Sequence, residues 1–331
     1  MRHGLRWAMR LIGPLLLLVF LWRTDLTLVL ASLRQLDWAP LAWSLALFPL
    51  FVAVKSWRWV LIMRELGIAP PSLAEAATLY TIGLYFGGIT PGQSGDFIKA
   101  WYLRDRGQPL AAALFSIVVD RLFDFMIMAV LAIAGLAAFV AVFPPAMHAP
   151  LAGGTLGFAV LVFALTPLLA ARGARERLFA ILVPRLPVRF QPAAASWRDQ
   201  LRGLSLRPAL LGWLMLASLA SASSTVLRIW LLFAALPLAA VPPLAIIGAT
   251  ALISILQALP ISFAGVGVRD AILIAMLGYY GYPAELAISL SALFLLLNIE
   301  HILLGFFVSL RHPIVRPPAD AAAHPPPGGS A

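Results

Sequence analysis

Long apolar segments separated by short polar breaks dominate the chain. They occupy roughly residues 5–22, 39–62, 75–95, 109–143, 151–171, 208–236, 244–263, 271–282 and 285–310. A helix needs about 20 predominantly apolar residues to cross the hydrocarbon core of a bilayer, and several segments reach that length. A membrane-spanning β-barrel would instead show short segments of alternating hydrophobicity. The pattern predicts an all-α polytopic membrane protein with about six to eight transmembrane helices.

Composition agrees with this prediction and narrows the choice of partners. The chain is 62% hydrophobic and only 11% charged, with a mean hydropathy of +0.93, whereas a soluble domain is about 25% charged. The net charge is +10, and all but two of the 24 basic residues are Arg. Arg-rich cytoplasmic loops that face anionic lipid account for such a balance in a membrane protein. We therefore expect membrane lipids with anionic headgroups as partners, and no nucleic acid.

Several kinds of chemistry find no support in the sequence. There is no cysteine, and the five His residues show no H-x-x-x-H spacing. Disulfides, thiol catalysis and a zinc site are thus not expected. The nucleotide-binding GxxxxGK[ST] and the hydrolase G-x-S-x-G patterns are also missing. We predict no metal, no cofactor and no catalytic residue, although Asp96, Asp120 and Asp124 could still converge as a metal site of a membrane-embedded transferase.

The distribution of Lys and Arg predicts the orientation of the chain. Basic residues cluster at the N-terminus, near residue 64, in the 172–207 loop and after the last apolar segment, which places both termini in the cytoplasm and the protein in the cell inner membrane. Segment 5–22 is expected to be a retained first span, with a cleaved secretory leader as the alternative. Residues 1–312 then form one transmembrane domain, and the Pro/Gly/Ala-rich tail 313–331 is expected to be disordered.

The first unusual break lies at the end of segment 75–95. If this segment crossed the membrane fully, the basic residues after it would lie outside, against the positive-inside rule. The conflict disappears if the segment dips into the membrane and returns as a re-entrant hairpin. The residues that would form the turn of this hairpin are Gly87, Gly88, Pro91, Gly92 and Gly95.

A second break interrupts residues 244–282, which begin and end at uncharged loops. Its turn residues would be Pro260, Gly265 and Gly267, followed by Arg269 and Asp270. Each break shows Pro, then Gly, then a cation with an acid nearby. Two Gly/Pro-interrupted segments in corresponding halves indicate a transporter site, and an inverted repeat is one interpretation of their similarity. The alternative is that Gly and Pro are simply common in membrane helices.

Charged and polar residues also interrupt two of the longest apolar segments. Asp120 and Asp124 lie four residues apart, on one helix face, and Arg121 is spaced to pair with Asp124. They indicate a polar cavity, unless this third of the segment lies at the inner interface, where charge is less costly. Asn298, Glu300 and His301 in the last segment fit either interhelical hydrogen bonds or a proton-accepting lining. The 172–207 loop looks like amphipathic helices on the inner leaflet.

Four groups of residues, taken together, resemble the flippase-like domain family, which corresponds to the transmembrane region of lysylphosphatidylglycerol synthase. They are Arg58-Trp59, the P-G-x-x-G-D-x-x-K run from Pro91 to Lys99, the D-R-x-x-D group from Asp120 to Asp124, and the late motif from Pro260 to Asp270. The late motif departs from the family pattern P-x-x-G-G-x-G-x-x-E, because Asp270 replaces Glu and Ser-Phe-Ala precedes Gly265. The resemblance covers about residues 5–312.

This resemblance implies translocation of a lipid between leaflets. Members are associated with aminoacylated phospholipids, hopanoid pathways or polyprenyl-linked sugars. Because the soluble aminoacyl-transferase domain is not in this sequence, the chain resembles a stand-alone member, and lipid lysylation by this chain alone is not implied.

We therefore predict a protein that translocates an anionic or amphipathic lipid. The expected binding residues are the charged residues of the breaks and of segment 109–143: Lys99, Arg121, Arg269, Asp96, Asp120, Asp124 and Asp270. Secondary candidates are Arg58, Glu300 and Asn298. Two alternatives remain open, namely a membrane-embedded transferase acting on a lipid headgroup and a non-catalytic membrane partner of a separate lipid-modifying enzyme.

Overall fold

A computed structural model describes residues 26–204, 206–257 and 267–312, which are almost entirely helical. The α-helices are α1 (Leu26–Arg34), α2 (Trp38–Ala46), α3 (Phe48–Glu65), α4 (Leu73–Gly88), α5 (Ile98–Asp105), α6 (Leu110–Val140), α7 (Pro145–Ala170), α8 (Arg172–Leu182), α9 (Gln191–Leu201), α10 (Pro208–Ala234), α11 (Pro243–Gln257), α12 (Val268–Tyr279) and α13 (Ala284–Arg311). Short 3₁₀ turns occupy Pro91–Phe97, Val183–Arg185 and Val188–Phe190.

Four described helical segments are long and apolar enough to cross a membrane. They are Trp38–Glu65, which joins α2 and α3, and Pro145–Pro167, Ala209–Ala234 and Ala284–Arg311. Helix α6 has 31 residues and is about 46 Å long at 1.5 Å per residue, but it carries the three charges noted above. The prediction of an all-α polytopic membrane protein is confirmed. The predicted first span 5–22 and the tail 313–331 lie outside the described residues.

Helices α4 and α5 form a helical hairpin around the 3₁₀ turn. Helix α4 begins with a capping box, in which Ser72 and Glu75 satisfy each other's backbone N–H groups. Arg106, just after α5, lies 3.7 Å from Glu75, so the chain returns to the end at which it started. With 16 residues, α4 is about 24 Å long, shorter than the roughly 30 Å hydrocarbon core. The two arms form a hairpin, and that this hairpin enters and leaves a membrane on the same side stays a prediction.

Glycine allows the two arms of this hairpin to approach closely. A Cβ atom on Gly95 would lie 2.1 Å from the carbonyl oxygen of Phe86, so only glycine fits at this contact. Gly92 and Gln93 both adopt left-handed backbone conformations, with φ of 62° and 54°, which reverse the chain direction at the turn.

Helices α11 and α12 form a second short pair, of 15 and 12 residues. The backbone N–H of Ala240, before α11, donates to the hydroxyl of Tyr282, after α12, at 2.9 Å. The start of α11 and the end of α12 therefore lie close together. Pro260 and Gly265 lie outside the described residues. Gly267, with φ of 84°, is the N-cap residue before α12, and its N–H donates to the Asp270 carboxylate at 2.7 Å.

The two hairpins begin at opposite ends of the molecule. Arg207 forms an ion pair with Glu65 at 2.7 Å, which joins the start of α10 to the end of α3. At the other end of α10, the carbonyl of Ala235 accepts from the N–H of Asp37 at 3.0 Å. Because α4 follows α3 closely and α11 follows α10, the first hairpin starts at the Glu65 end and the second at the Ala235 end.

The core has two main apolar clusters, one containing the first hairpin and the other containing the second. One is formed by buried residues of α3, α4 and α6, including Trp59 and Ile117. The other is formed by α10 to α13, including Leu232 and Met276. Helices α6 and α11 join the clusters through Gly135 and Gly248, since a Cβ on Gly135 would lie 2.3 Å from the Cα of Gly248. This close packing holds α6, the helix that carries Asp120, Arg121 and Asp124, against α11 of the second hairpin.

The segment between α7 and α10 contains α8, α9 and two 3₁₀ turns, and it exposes apolar and basic side chains together. Ile181, Phe190 and Trp197 are exposed, and Val188 is 80% exposed. Arg172 donates to Glu176 at 3.0 Å, and this hydrogen bond holds the pKa of the Glu176 carboxyl below its usual range. The mixture agrees with the predicted amphipathic helices of the 172–207 loop.

Candidate functional site

A cavity of about 190 Å³ lies between the first hairpin and helices α3, α6, α10, α11 and α13. Its lining comprises Phe51, Lys55, Tyr80, Leu84, Gln93, Arg121, Asp124, Phe125, Met128, Thr225, Arg228, Ile229, Ile253, Ser254, Gln257, Phe294, Leu297, Asn298 and His301. Gln93 lies in the turn of the first hairpin, and Gln257 is the last residue of α11. Elements of both predicted breaks therefore reach the same cavity.

A smaller cavity of about 60 Å³ adjoins it along the first hairpin. Leu84, Gln93, Arg121, Gln257, Asn298 and His301 line both cavities. The remaining wall of the smaller one consists of Gly83, Gly87, Gly88, Thr90 and Gly92. The predicted turn glycines Gly87, Gly88 and Gly92 thus contribute backbone rather than side chains to the wall of this smaller cavity.

Arg58 on α3 holds the two acids of α6. Its Nε donates to Asp120 at 2.8 Å and its Nη1 donates to Asp124 at 2.8 Å. Lys55, one helical turn earlier, donates to both oxygens of Asp124, at 2.9 and 3.0 Å. Tyr80 donates to the second oxygen of Asp120 at 3.1 Å. Asp120 and Asp124 lie on one helix face, as their spacing predicted, because one guanidinium reaches both.

Asp96 in the hairpin turn holds a second pair of cations. Lys99 Nζ lies 2.9 Å from its Oδ2, and Arg121 Nη2 lies 2.7 Å from the same oxygen. The Lys99 ammonium also lies 4.0 Å from the centre of the Tyr80 ring, a cation–π distance. Lys99 is fully buried, whereas the side chain of Arg121 remains 22% exposed. Asp96 therefore fixes one buried cation and one cation that reaches the cavity.

The pairing of Arg121 differs from the prediction. Its spacing along α6 favours Asp124, but Arg121 binds Asp96 of the hairpin instead, and Asp124 is held by Lys55 and Arg58. The reason is that helix α6 packs α3 on one side and the hairpin on the other. Each acid is thereby paired with a cation from a neighbouring element.

Gln93 lies in a strained conformation beside this group. Among the described residues it is the non-glycine residue with positive φ, a conformation that costs free energy and is concentrated at functional sites. Its side-chain oxygen accepts from Arg121 Nη1 at 2.8 Å. The strained turn thus positions an amide side chain in the cavity wall next to a guanidinium.

A third charged group joins α10 and α13 at the cavity. Arg228 of α10 forms an ion pair with Glu300 of α13 and a hydrogen bond with His301 Nε2 at 2.9 Å. Its Nε donates to the carbonyl of Ser44 at 2.8 Å. The His301 ring stacks on Phe51, with ring centres 5.5 Å apart. Glu300 therefore makes an interhelical ion pair, while Arg228 and His301 face the cavity.

The late motif forms a separate buried group. Arg269 lies 3.4 Å from Asp270 and donates to the Ser291 hydroxyl at 3.0 Å, and Ser291 in turn contacts Asp270. Both charged residues are at most 2% exposed. The contacts join the start of α12 to α13 and thereby hold the second helix pair against the last long helix.

The predicted binding residues are therefore distributed over several places. Of the described residues, Arg121, Asp124 and the secondary candidate Asn298 line the larger cavity. Asp96, Lys99, Asp120 and Arg58 lie directly behind this wall, and Arg269 and Asp270 lie in the separate group at α12.

Several polar residues of the cavity were not predicted as binding residues, among them Lys55, Gln93 and Arg228. His301, which also lines the cavity, was predicted only as a hydrogen-bonding or proton-accepting residue of the last segment. Arg228 is a lone Arg within the apolar segment 208–236, a signal that the sequence does contain. Gln93 gives no such signal, because its strained backbone becomes visible only in the fold.

The described lining of the cavity is cationic. It contains Lys55, Arg121 and Arg228 against one acid, Asp124, a formal balance of +3 and −1. Asp96, Asp120 and Asp124 each hold cations of this chain, and no group of three or more His, Asp or Glu side chains able to hold a metal ion occurs among residues 26–204, 206–257 and 267–312. The arrangement is suited to bind an anion.

Comparison with known proteins gives one match. The sequence model of the family described as the lysylphosphatidylglycerol synthase TM region matches residues 8–305. No curated protein and no solved structure matches the chain. Because the match covers nearly the whole chain, and because the described helices are those of a multi-pass membrane protein, the chain belongs to the lysylphosphatidylglycerol synthase transmembrane region family.

Proposed function

We propose that the protein moves an anionic or amphipathic lipid between the leaflets of the cell inner membrane. The observation that carries this proposal is the cationic cavity, which lies among helices long enough to span a bilayer. Buried cations inside a membrane protein are costly and mark the path of a charged substrate. Family membership supports a role connected with membrane lipids.

In the proposed mechanism, the two hairpins enter the membrane from opposite faces and the lipid headgroup crosses between them. Arg121, Lys55 and Arg228 neutralise the phosphate, because charge-assisted hydrogen bonds to phosphate are the strongest available in a water-poor site. The glycine-lined wall of the first hairpin brings backbone groups close to the headgroup. The acyl chains stay in the surrounding lipid.

The buried acids keep the cations in place between transport events. Asp96 forms ion pairs with both Lys99 and Arg121, so Arg121 can turn toward a phosphate while Lys99 continues to neutralise Asp96. Asp120 and Asp124 hold Arg58 and Lys55 in the same way. Removing one partner of such a buried pair costs about 3–5 kcal/mol, which explains why several cations share each acid.

Arg121→Gln tests the proposal in vesicles that contain the purified protein and fluorescent phosphatidylglycerol. Loss of a charge-assisted hydrogen bond of about 1.5–3 kcal/mol should slow transfer between leaflets by roughly 10- to 100-fold. Arg104→Gln is the matched control, because Arg104 is an exposed cation of α5 that pairs with its neighbour Asp105. The rate is measured as the fraction of fluorescent lipid that an impermeant quencher reaches over time.

Equal transfer by the wild type, Arg121→Gln and protein-free vesicles would contradict lipid translocation. In that case, a new lipid product that depends on a divalent metal would support the transferase alternative. Co-purification of a lipid-modifying enzyme without lipid movement would support the partner alternative.

A further inference from the structure

Helices α2 and α3 together run antiparallel to α10, and contacts along them fix how the two segments are aligned. An ion pair joins Glu65 to Arg207 at one end. At 21 residues from this ion pair on both segments, the Ser44 hydroxyl donates to the carbonyl of Arg228, and Arg228 Nε donates to the carbonyl of Ser44. Because the spacing is equal on both segments, residues equally distant from the ion pair lie at the same level.

Four exposed tryptophans of these helices lie at two shared levels. Trp57 and Trp213 lie eight and six residues from the ion pair, so their levels differ by about 3 Å. Trp43 and Trp230 lie 22 and 23 residues from it, a difference of about 1.5 Å. We call the first pair the near level and the second pair the far level. Exposed tryptophans of a membrane protein concentrate at the two membrane–water interfaces.

The near and far levels are close together for the two interfaces of a bilayer. They are separated by 14 residues between Trp43 and Trp57 and by 17 residues between Trp213 and Trp230, which correspond to about 21 and 26 Å. The hydrocarbon core of a typical bilayer is about 30 Å thick. The large apolar side chains that α10 exposes between the two levels are Leu216, Leu219 and Leu227.

A fifth exposed tryptophan of these helices, Trp38, lies beyond the far level. It follows Asp37 at the start of α2, and Asp37 is level with Ala235, just after α10, to which it hydrogen bonds. Helix α10 has no tryptophan after Trp230. The two segments therefore share a level of exposed tryptophans at Trp43 and Trp230, and not at Trp38.

A buried arginine lies at each of the two levels. Arg58 directly follows Trp57 in α3, and Arg228 lies two residues, about 3 Å, before Trp230 in α10. Both arginines are at most 3% exposed, and both form ion pairs. A charge inside a membrane protein is less costly near an interface than at the bilayer centre. The positions of the two arginines thus agree with interfaces at the near and far levels.

We propose that the face formed by α2, α3 and α10 fits a bilayer whose hydrocarbon core is only about 21–26 Å thick, and that an average bilayer becomes thinner around it. The tryptophan rings hold the interfaces at the two levels. The ion-paired groups of Arg58 and Arg228 then lie at the depth of the lipid headgroups, one on each side. This inference concerns how the protein is seated in lipid and does not depend on lipid translocation.

Competition between lipids of different chain length tests the inference on the full-length protein. The protein is reconstituted in mixtures of two phosphatidylcholines, one of which carries brominated chains that quench tryptophan fluorescence on contact. The lipids are chosen to form hydrocarbon cores of about 24, 30 and 35 Å. The lipid of the thinnest core should bind the protein surface roughly twofold or more tightly than the other two. Equal binding of the three, or tighter binding of a longer lipid, would overturn the inference.

The double variant Trp43→Leu/Trp230→Leu tests whether the tryptophans set the thickness. It removes the far level and leaves Trp38, which is 19 residues from Trp57, so the preferred core should thicken to about 29 Å. Trp197→Leu is the control, because Trp197 is an exposed tryptophan of α9, outside this face, and its loss should leave the preference unchanged. The same preference in the double variant as in the wild type would overturn the inference.

Discussion

At the scale of single residues, the glycine at position 83 decides whether Asp96 can pair with its two cations. Gly83 on α4 faces the Asp96 carboxylate so closely that a Cβ atom would lie 2.3 Å from Oδ1. The same Cβ would lie 3.1 Å from the Lys99 side chain. Glycine is thus required here by the approach of an ion pair, although the backbone of α4 is an ordinary helix.

Gly83→Ala should lower stability and lipid transfer together. The added methyl group must displace Asp96, which holds two cations, and disturbing a buried ion pair costs about 3–5 kcal/mol. Thermal unfolding of the purified protein in detergent measures the loss. Gly212→Ala is the control, because no atom lies within 4 Å of its Cβ position, and alanine in a helix is favoured by about 1 kcal/mol over glycine. A Gly83→Ala protein as stable as the control would contradict the close approach.

At the scale of elements, the two short helix pairs determine how the chain passes through the molecule. Helices α4 and α11, at 16 and 15 residues, are too short to cross a bilayer unless the bilayer becomes thinner around them. Each is followed by a second short helix that brings the chain back to its starting end. The Gln93 turn lines the cavity, and a cavity wall is the kind of place where non-helical backbone is tolerated at membrane depth.

Single-cysteine labelling tests whether the first pair is re-entrant, and the absence of cysteine in the native chain makes the background low. Glu75→Cys and Arg106→Cys should react with an impermeant thiol reagent from the same side of the membrane, because the two residues form an ion pair. Ala240→Cys, at the outer end of the second pair, should react from the opposite side. Reaction of residues 75 and 106 from different sides would show that this segment crosses the membrane.

At the scale of the whole molecule, charge and exposed apolar surface define how the protein lies against lipid. The segment 172–207 is connected at both ends to helices long enough to span a bilayer, so it cannot move far from the membrane surface. Its exposed apolar side chains alternate with Arg. Such a surface is stabilised by inserting apolar groups at the interface and by binding anionic headgroups.

Val188→Cys, carrying a nitroxide label, should be more accessible to oxygen than to a polar relaxation agent in bilayers that contain anionic lipid. Asp199→Cys is the control, because Asp199 lies on the face of α9 opposite the exposed Trp197 and should contact water. Electron paramagnetic resonance measures both accessibilities. Equal water exposure of the two labels would show that this segment does not insert into the interface.

The sequence by itself determined the class of structure and the position of its irregularities. Apolar segments of membrane-spanning length predict the helical membrane fold, because backbone polar groups in lipid must be satisfied within a helix. Gly and Pro predict the turn near residues 87–95, because their backbone preferences are local. The helix face shared by Asp120 and Asp124 follows from spacing alone.

Only the tertiary structure decided which charges meet. Arg121 pairs with Asp96 rather than with Asp124, and Arg228, distant in sequence, faces the same cavity as Lys55. Helical periodicity fixes which residues share a face but not which helix packs against that face. The partners of a charge are therefore set by the packing of α3, α6, α10 and the first hairpin around one cavity, where every buried charge needs a partner of opposite sign.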